Sequence, residues 1–359
     1  MRGAWLALAA SGCTPFAHNW DERVAFPEYV WQADELTSVP GSTTSLNVVT
    51  WNLKFAGARL DFWFDGWGDR VHMTEAEVLS SMDDLVTAIR AMDPDVLLTQ
   101  EVDLASKRTA YVDMVDHLLQ NTELNYAAWV PVWQVAYIPE EGLGPVMMGQ
   151  AVFSKYPLHS NLRIDLGPIE NQDPVTRWGY LDRCIQRVTV EHTEGDLEVL
   201  NNHPDAYSTD GTKARQIEQI YAESLSISGD LLVGGDFNAV PPGTLNLGDF
   251  EDNVPLDEWG VDDVTYEAEG DQLMVGFYGD YQVATSIDDY QVASSVEEQE
   301  PWFTHSISSE VFWNRKLDYL FSSLPWTMGK AVQDQVGESD LDAMALSDHC
   351  PVQGVLSLQ

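Results

Sequence analysis

The sequence contains short apolar runs, and several of them lead into a polar residue that can bind a metal or move a proton. The runs and the residues beyond them are 46–51 before Asn52, 96–98 before Glu101, 197–200 before His203 and 231–233 before Asp236. In an open α/β sheet, ligands bind at the strand ends, where side chains from distant segments meet. The pattern therefore predicts a sheet-based α/β fold with one polar site at a sheet edge.

Helical signals are fewer than strand signals. Thr74 and Glu77 fit a capping box, and the apolar residues that follow recur at helical spacing, which predicts a helix that ends before Pro94. Further strands are predicted over 317–321 and from 352 to 358. Strands with few interspersed helices, in two similar halves, predict two packed sheets with helices outside them.

The charge balance is extreme, because 18 basic residues face 58 acidic residues and the formal net charge is −40. A surface of this sign repels polyanions, so the composition argues against a dedicated duplex-DNA-binding protein. Adaptation to a salty environment and simple solubility are two explanations for the acidity, and we favour the first.

The N-terminus resembles a truncated bacterial lipoprotein signal, with one basic residue, a short apolar run and small residues before Cys13. We predict a leader over 1–13, a tether over 14–45 that is rich in Pro, Ser and Thr, and one folded domain over 46–359. The expected location is secreted or lipid-anchored at the bacterial cell envelope, and a frayed N-terminal arm is the alternative. The two remaining cysteines, Cys184 and Cys350, either pair or stay free.

Two segments differ from the rest of the chain. Residues 245–300 are strongly acidic and are predicted to form an insertion of solvated loops and one or two helices between core strands. Residues 55–67 include four aromatic side chains in a row of eight residues. We favour a loop that folds its rings onto the protein over an aromatic surface for a base or a lipid interface.

Oxygen-bearing side chains at strand ends indicate a hard divalent cation. Mg²⁺ usually binds one or two carboxylates together with water and substrate phosphate. Glu101 and Asp348 supply carboxylates, and Asn52 adds a neutral oxygen. These three residues are the predicted metal ligands, for Mg²⁺ or alternatively Mn²⁺.

The stretch from Gly234 to Asn238 is a more specific signal. Its glycines allow a tight turn and close approach of the backbone to a ligand. Asp236 is then placed to accept a proton from an attacking water, and Asn238 to donate a hydrogen bond to a phosphoryl oxygen. An Asx turn capped by Asn238 accounts for the spacing, but not for the surrounding polar residues.

Two histidines are candidates for proton donation and charge stabilisation, His203 and His349. A histidine needs a partner that fixes its tautomer, and Asp318 serves His349 if the last two motifs are adjacent. The other histidines have no such context, and we predict structural or surface roles for them, His305 included.

In their order along the chain, these motifs resemble the endonuclease/exonuclease/phosphatase superfamily, which includes deoxyribonuclease I-like enzymes and neutral sphingomyelinases. The motifs are Trp51-Asn52-Leu53, Gln100-Glu101, His203, Gly235-Asp236-Phe237-Asn238, Leu317-Asp318-Tyr319 and Ser347-Asp348-His349. The resemblance spans residues 46–358. It implies a four-layer α/β sandwich of two mixed sheets flanked by helices, and metal-dependent cleavage of phosphoester bonds.

The same resemblance implies a role for each motif residue. It assigns metal binding to Asn52, Glu101 and Asp348. Asp236 and Asn238 would handle the nucleophilic water, and His203 would protonate or steady the leaving group. Asp318 would orient His349 on the phosphate.

The chain departs from the family pattern in places. Pro204 follows the motif histidine where many members have another apolar residue, which leaves the identity of the substrate open. The mid-chain acid or tyrosine of many members is unassigned, with Tyr137 and Tyr180 as candidates. The same region holds three arginines, one of which is a candidate to contact the phosphate: Arg177, Arg183 and Arg187.

The sequence therefore predicts a Mg²⁺-dependent phosphoesterase whose substrate is a small molecule, a lipid headgroup or a nucleic acid. Nuclease, sphingomyelinase-like and phosphomonoesterase activities all stay open, and a small or lipid phosphodiester suits the acidic surface best. The rival hypothesis is a non-catalytic surface lipoprotein that uses the fold as a binding module. Membrane association through a lipidated Cys13 is expected, and no protein partner is inferred.

Overall fold

The computed structural model describes residues 20–39, 43–62, 68, 70–138, 142–177, 179–192, 194–206, 208, 210–252 and 266–358. The strands are β1 Arg23–Ala25, β2 Val30–Gln32, β3 Ser45–Asn52, β4 Val96–Asp103, β5 Tyr126–Ile138, β6 Gly144–Ser154, β7 Leu158–Asp165, β8 Cys184–Val190, β9 Leu197–Asn202, β10 Asp230–Asp236, β11 Gln282–Val283, β12 Asp318–Ser322, β13 Trp326–Ala331 and β14 Val352–Ser357. The α-helices are α1 Glu75–Met92, α2 Met114–Asn121, α3 Pro174–Arg177, α4 Thr212–Ser226, α5 Val275–Asp280, α6 Asp288–Gln291 and α7 Val296–Gln299.

The strands form two mixed sheets of seven strands each. The first sheet has the order β1-β7-β8-β9-β10-β12-β11, and the second has the order β13-β14-β3-β4-β6-β5-β2. At the centre of each sheet two strands run parallel, β9 with β10 and β3 with β4. The strands next to these pairs, β12 and β14, run antiparallel to them.

Apolar layers between the two sheets and on their outer faces hold the fold together. Side chains of both sheets, among them Val48, Leu98, Val199 and Leu232, form the layer between the sheets and are fully buried. On the outer face of the second sheet, α1 and α2 bury a larger cluster, and α4 and α5 cover the outer face of the first sheet. The predicted architecture of two packed mixed sheets flanked by helices is confirmed.

The local predictions for α1 are confirmed as well. The Thr74 side chain accepts a hydrogen bond from the Glu77 amide, and the Glu77 side chain accepts one from the Thr74 amide. This reciprocal capping box begins the helix. Asp93, in the left-handed conformation, ends it one residue before Pro94.

The prediction of a tether over 14–45 is wrong for part of that range. β1 pairs with β7, and β2 pairs with β5, so this segment extends both sheets at their edges. The reason is aromatic packing: the Phe26 ring stacks on Tyr29, and the Tyr29 ring meets Trp129 edge-on at 5.1 Å between centroids. The predicted leader and Cys13 lie outside the described residues.

The acidic segment 245–300 lies between β10 and β12. Its described part carries three short helices and β11, which adds a strand to the first sheet. In the aromatic loop, Phe55 and Phe62 are buried and their rings meet edge-on, as predicted for a loop that folds its rings onto the protein. Trp63, Phe64 and Trp67 lie outside the described residues.

Both described cysteines, Cys184 and Cys350, are free and buried. Among the described helices, none combines the length and the apolar character that a membrane crossing requires.

Candidate active site

The topology brings the predicted residues to one edge of the sandwich. Asn52 ends β3, Asp236 ends β10, and His203 directly follows β9. Because β12 runs antiparallel to β10, its first residue, Asp318, is the register partner of Asp236. His349 lies three residues before β14, whose first residue, Val352, pairs with Thr50 near the end of β3.

Gly235 makes the close approach of β9 and β10 feasible at this edge. Its φ is +134°, and a Cβ atom there would lie 2.1 Å from the carbonyl oxygen of Asn202. Any side chain at this position would push the two strands apart, and His203 and Asp236 with them.

Glu101 reaches the site through a backbone irregularity. The pairing of β4 with β6 shifts register between Thr99 and Val102, and Glu101 has a left-handed φ of 57°. A bulge of this kind redirects a side chain and is common beside active sites. Burial and then the charge of Asp348 raise the pKa of Glu101 to about 7.

Asp236 is the centre of the site. Its Oδ2 lies 3.2 Å from the Nδ2 of Asn52, 3.3 Å from the Nε2 of His203 and 3.5 Å from the Nε2 of His349. Its Oδ1 accepts a hydrogen bond from the Asn238 amide at 2.9 Å. Burial raises the pKa of Asp236 to about 6, although the charge of His349 opposes the rise.

His349 and Asp318 form a buried pair. The Nδ1 of His349 lies 2.8 Å from the Oδ2 of Asp318, so the adjacency predicted for the last two motifs is present. The Trp51 indole donates to the His349 carbonyl and fixes the backbone there. Burial would lower the pKa of His349, but the charges of Asp318 and Asp236 outweigh it and raise the pKa to about 10.

Asp348 has a cationic neighbour that the sequence did not reveal. The Nζ of Lys54 lies 3.4 Å from Asp348 Oδ2, and the lysine is only 4% exposed. Burial would raise the pKa of Asp348, but the charges of Lys54, His349 and Arg59 lower it. Lys54 reaches this place because residues 54–56 have left-handed φ values and the chain turns sharply after Asn52.

Two amides are oriented differently from the prediction. The Oδ1 of Asn52 accepts from the Lys54 amide, while its Nδ2 faces Glu101 and Asp236, so it presents a donor instead of a metal-binding oxygen. The Nδ2 of Asn238 donates to the Pro204 carbonyl at 3.1 Å. Asn238 therefore ties the end of β10 to the His203 turn, and this hydrogen bond uses a donor that was predicted for the substrate.

The two other histidines of the site carry no charge at neutral pH. Burial and then the charge of Arg183 hold the pKa of His203 well below its ordinary value. His305, predicted to be structural or at the surface, lies with its ring centroid 4.3 Å from that of His349. Its Nδ1 donates to the Asp348 carbonyl at 2.9 Å, and burial keeps its pKa well below 6.5.

The two tyrosines predicted as mid-chain site residues, Tyr137 and Tyr180, lie in different environments. Tyr137 is 59% exposed on β5. Burial and then the charge of Asp205 raise the pKa of Tyr180 to about 12, and Arg183 opposes the rise, so this tyrosine lies in the same electrostatic environment as Arg183.

The donor set suits a hard divalent cation. Glu101 and Asp348 are close enough to raise the cost of ionising both, and a cation between them would relieve that cost. Asp236, Asp318 and His349 also have ligand atoms within 4.8 Å of one another, as do His305, Asp348 and His349. Carboxylate oxygens are the ligands that Mg²⁺ and Mn²⁺ prefer.

Comparisons with known proteins agree with this geometry. The chain matches the model of the Endonuclease/Exonuclease/phosphatase family over residues 49–349. No curated protein matches it.

Solved structures share the fold. An endonuclease/exonuclease/phosphatase from Beutenbergia cavernae is 19% identical, with a TM-score of 0.53 over 88% of this chain and 72% of that chain. A protein of the same description from Bacteroides vulgatus is 15% identical, with a TM-score of 0.53 over 88% of this chain and 100% of that chain. Since the family model spans most of its length, the chain belongs to the endonuclease/exonuclease/phosphatase family of phosphoester hydrolases.

Proposed function

We propose that this protein is a divalent-metal-dependent phosphodiesterase in which Asp236 activates the attacking water. The observation that carries the proposal is the convergence of side-chain donors from Asn52, His203 and His349 on one carboxylate oxygen of Asp236. An amide and two histidines gathered around a buried acid provide a base together with groups that can move to phosphoryl oxygens.

Asp236 has a suitable basicity for this role. With a pKa of about 6 it is ionised at pH 8, yet it is a stronger base than an exposed aspartate. It can therefore accept a proton from water in the same step in which the oxygen attacks phosphorus. Asn52 donates to both Asp236 and Glu101 and holds the two carboxylates in a fixed relation.

His349 is the charge stabiliser. Asp318 fixes its Nδ1 proton, and the raised pKa keeps the ring cationic through neutral pH. Its Nε2–H can donate to a non-bridging phosphoryl oxygen, on which negative charge grows as the transition state forms.

His203 steadies the leaving group by hydrogen bonding. Because its pKa is held well below 6.5, the ring is neutral and does not act as a strong acid. Its Nε2, 3.3 Å from Asp236, is placed to donate a hydrogen bond to an oxygen that departs next to the water-activating carboxylate.

Glu101 and Asp348 are the residues that would hold the divalent cation. When it is bound, such a cation supplies Lewis-acid stabilisation of charge on the phosphoryl oxygens. The ammonium of Lys54 beside Asp348 adds a fixed positive charge on the same side of the site.

The substrate is proposed to be a small or lipid phosphodiester. Basic side chains are scarce, and most of those described are paired with carboxylates; examples are Arg23 with Glu223, Lys155 with Asp93, and Arg187 with Glu198. They leave little positive surface for a long polyanion. We also propose attachment to the cell envelope through Cys13, which predicts that Cys13→Ala moves the protein from the membrane fraction to the soluble fraction.

The test is hydrolysis of bis-p-nitrophenyl phosphate and of p-nitrophenyl phosphate, with Mg²⁺ or Mn²⁺ and with EDTA. We expect metal-dependent turnover that favours the diester and that is lost in Asp236→Ala and in His349→Ala. The matched controls are Asp230→Ala, at the exposed start of β10, and His159→Ala, at the surface beside Glu191. Both controls should retain full activity.

Two outcomes would contradict the proposal. Equal turnover with and without EDTA would show that the reaction does not depend on a metal ion. No turnover on either substrate, together with no Mg²⁺ binding in a calorimetric titration, would favour the binding-module hypothesis.

A further inference from the structure

We propose that Asn201 is a positioning residue that fixes His203, on the first sheet, at its distance from Glu101, on the second. The inference rests on the proposed phosphodiesterase function. It assigns a role to a set of buried polar side chains between the sheets that the mechanism above does not use.

The filling between the two sheets changes along the strands. Successive side chains point to opposite faces, so every second residue of a strand faces the other sheet. Far from the site these inward residues are aliphatic: Val48, Val96, Leu98, Leu197 and Val199. Beside the site they are polar and fully buried: Thr50, Gln100, Gln150, Gln186 and Asn201. We refer to the second set as the polar layer.

Asn201 belongs to β9 of the first sheet and bonds to the second sheet with both its side chain and its backbone. Its Nδ2 donates to the carbonyl of Thr99 at 3.0 Å and to the carbonyl of Ala151 at 3.1 Å. Its Oδ1 accepts from the Nε2 of Gln100 at 2.7 Å, and its backbone carbonyl accepts from the Nε2 of Gln150 at 2.8 Å. Each partner lies on β4 or β6, so this one residue joins the two sheets.

The joint lies directly next to the site. Asn201 is two residues before His203, and its strand runs parallel to β10, which ends at Asp236. Its partner Gln100 directly precedes Glu101. The bond between Asn201 and Gln100 therefore connects the two strand ends that carry His203 and Glu101.

On the His203 side of the site, the direct contacts to Glu101 are long. The Nε2 of His203 lies 4.0 Å from Glu101 Oε1, and the Nδ2 of Asn52 lies 3.3 Å from the same oxygen. On the opposite side, the short contact between His349 and Asp318 already joins the sheets. The polar layer supplies the corresponding link on the His203 side.

The proposed reaction depends on this distance. His203 steadies the leaving group, whereas Glu101 would hold the cation. A shift of one relative to the other misplaces the phosphoryl group between them, and a misplacement of about 1 Å can lower a rate by about a hundredfold.

A role in stability alone is the rival explanation. Aliphatic side chains fill the rest of this space, and they avoid the cost of taking polar groups out of water. Apolar contacts are non-directional, whereas a hydrogen bond fixes both a distance and an angle. Amides beside the site therefore suit positioning better than they suit stabilisation.

The experiment is steady-state hydrolysis of bis-p-nitrophenyl phosphate by Asn201→Leu, which keeps the approximate volume and removes the side-chain hydrogen bonds. We expect kcat to fall roughly tenfold or more. Mg²⁺ affinity should change little in calorimetry, because Glu101 and Asp348 both lie on the side of the second sheet. The matched control is Val199→Ala, at a fully buried inward position on the same strand. It should also lower Tm, yet keep the kcat of the wild type at temperatures well below both melting transitions.

A second readout needs no turnover. In protein labelled with ¹⁵N-histidine, the ring nitrogen resonances of His203, assigned by their loss in His203→Gln, report the hydrogen bonding of that ring. Asn201→Leu should shift the Nε2 resonance, and Val199→Ala should leave it in place. Failure of catalysis and failure of positioning are therefore distinguishable, since an inactive wild type would contradict the proposed function while the resonances still decide the inference.

The outcomes that overturn the inference are specific. A folded Asn201→Leu protein with the kcat of Val199→Ala would overturn it, as would unchanged His203 resonances in that variant. If Asn201→Leu does not fold, Gln100→Met breaks the same link from the second sheet. A wild-type kcat and unchanged His203 resonances in Gln100→Met would then overturn it.

Discussion

Asp318→Asn gives the sharpest test of how the site handles charge. The substitution keeps the shape of the side chain and removes the negative charge 2.8 Å from the His349 ring. Asp318 is the largest of the groups that raise the pKa of His349, with Asp236 next. We therefore expect the variant to fold and to lose the proton of His349 at a lower pH.

The magnitude follows from the raised pKa. A rise from 6.5 to about 10 corresponds to about 5 kcal/mol, at roughly 1.4 kcal/mol for each pKa unit. If Asp318 supplies about half of it, Asp318→Asn brings the pKa of His349 to about 8. At pH 9 roughly nine tenths of His349 is then cationic in the wild type, and roughly one tenth in the variant.

The assay is kcat for bis-p-nitrophenyl phosphate with Mg²⁺ between pH 6 and pH 10. The wild-type to variant ratio of kcat should be about tenfold larger at pH 9 than at pH 7. Glu223→Gln, which removes a carboxylate paired with Arg23 away from the site, should show a constant ratio. A constant ratio for Asp318→Asn as well would refute the assignment of a cationic His349.

Three other predictions concern metal, charge and packing. The folded-state pKa values of Glu101 and Asp236, about 7 and about 6, lie above their ordinary values of 4.5 and 3.8. The metal-free protein should therefore lose stability as the pH rises from about 4 to about 7. Mg²⁺ should raise Tm by a few degrees at pH 8 and hardly at pH 5. An equal rise in Tm at both pH values would contradict this prediction. Lys54→Met removes the ammonium beside Asp348 and should tighten Mg²⁺ binding several-fold in calorimetry, whereas weaker binding would mean that Lys54 orients the carboxylate. Leu232→Ala, at a fully buried position between the sheets, should cost about 2–5 kcal/mol and lower Tm by roughly 3–7 °C in calorimetric melts. A change under about 2 °C would show that this layer is loosely packed.

The sequence predicted the strand ends well, for a physical reason. A buried strand needs a continuous apolar run, and the polar residue that ends the run marks the sheet edge. Asn52 and Asp236 each end a strand, and the register pairs Asp236 with Asp318 across β10 and β12. The helix α1 was predictable because its capping box is local.

The residues that sequence reasoning missed depend on backbone shape and distant pairing. Lys54 reaches Asp348 through left-handed φ values at residues that are not glycine, and no local signal marks such a turn. His305 reaches His349 through an isolated bridge between distant segments. The amide orientation of Asn52 is set by the Lys54 backbone, so it also depends on that turn.

The site is divided between the two sheets. Asp236 and Asp318 belong to the first sheet. Asn52 ends a strand of the second sheet, and His349 lies three residues before the last strand of that sheet. The hydrogen bonds from Asn52 to Asp236 and between His349 and Asp318 therefore cross from one sheet to the other. A chain in which only one sheet has assembled would lack these contacts, so the recovery of hydrolysis during refolding would report when the two sheets dock.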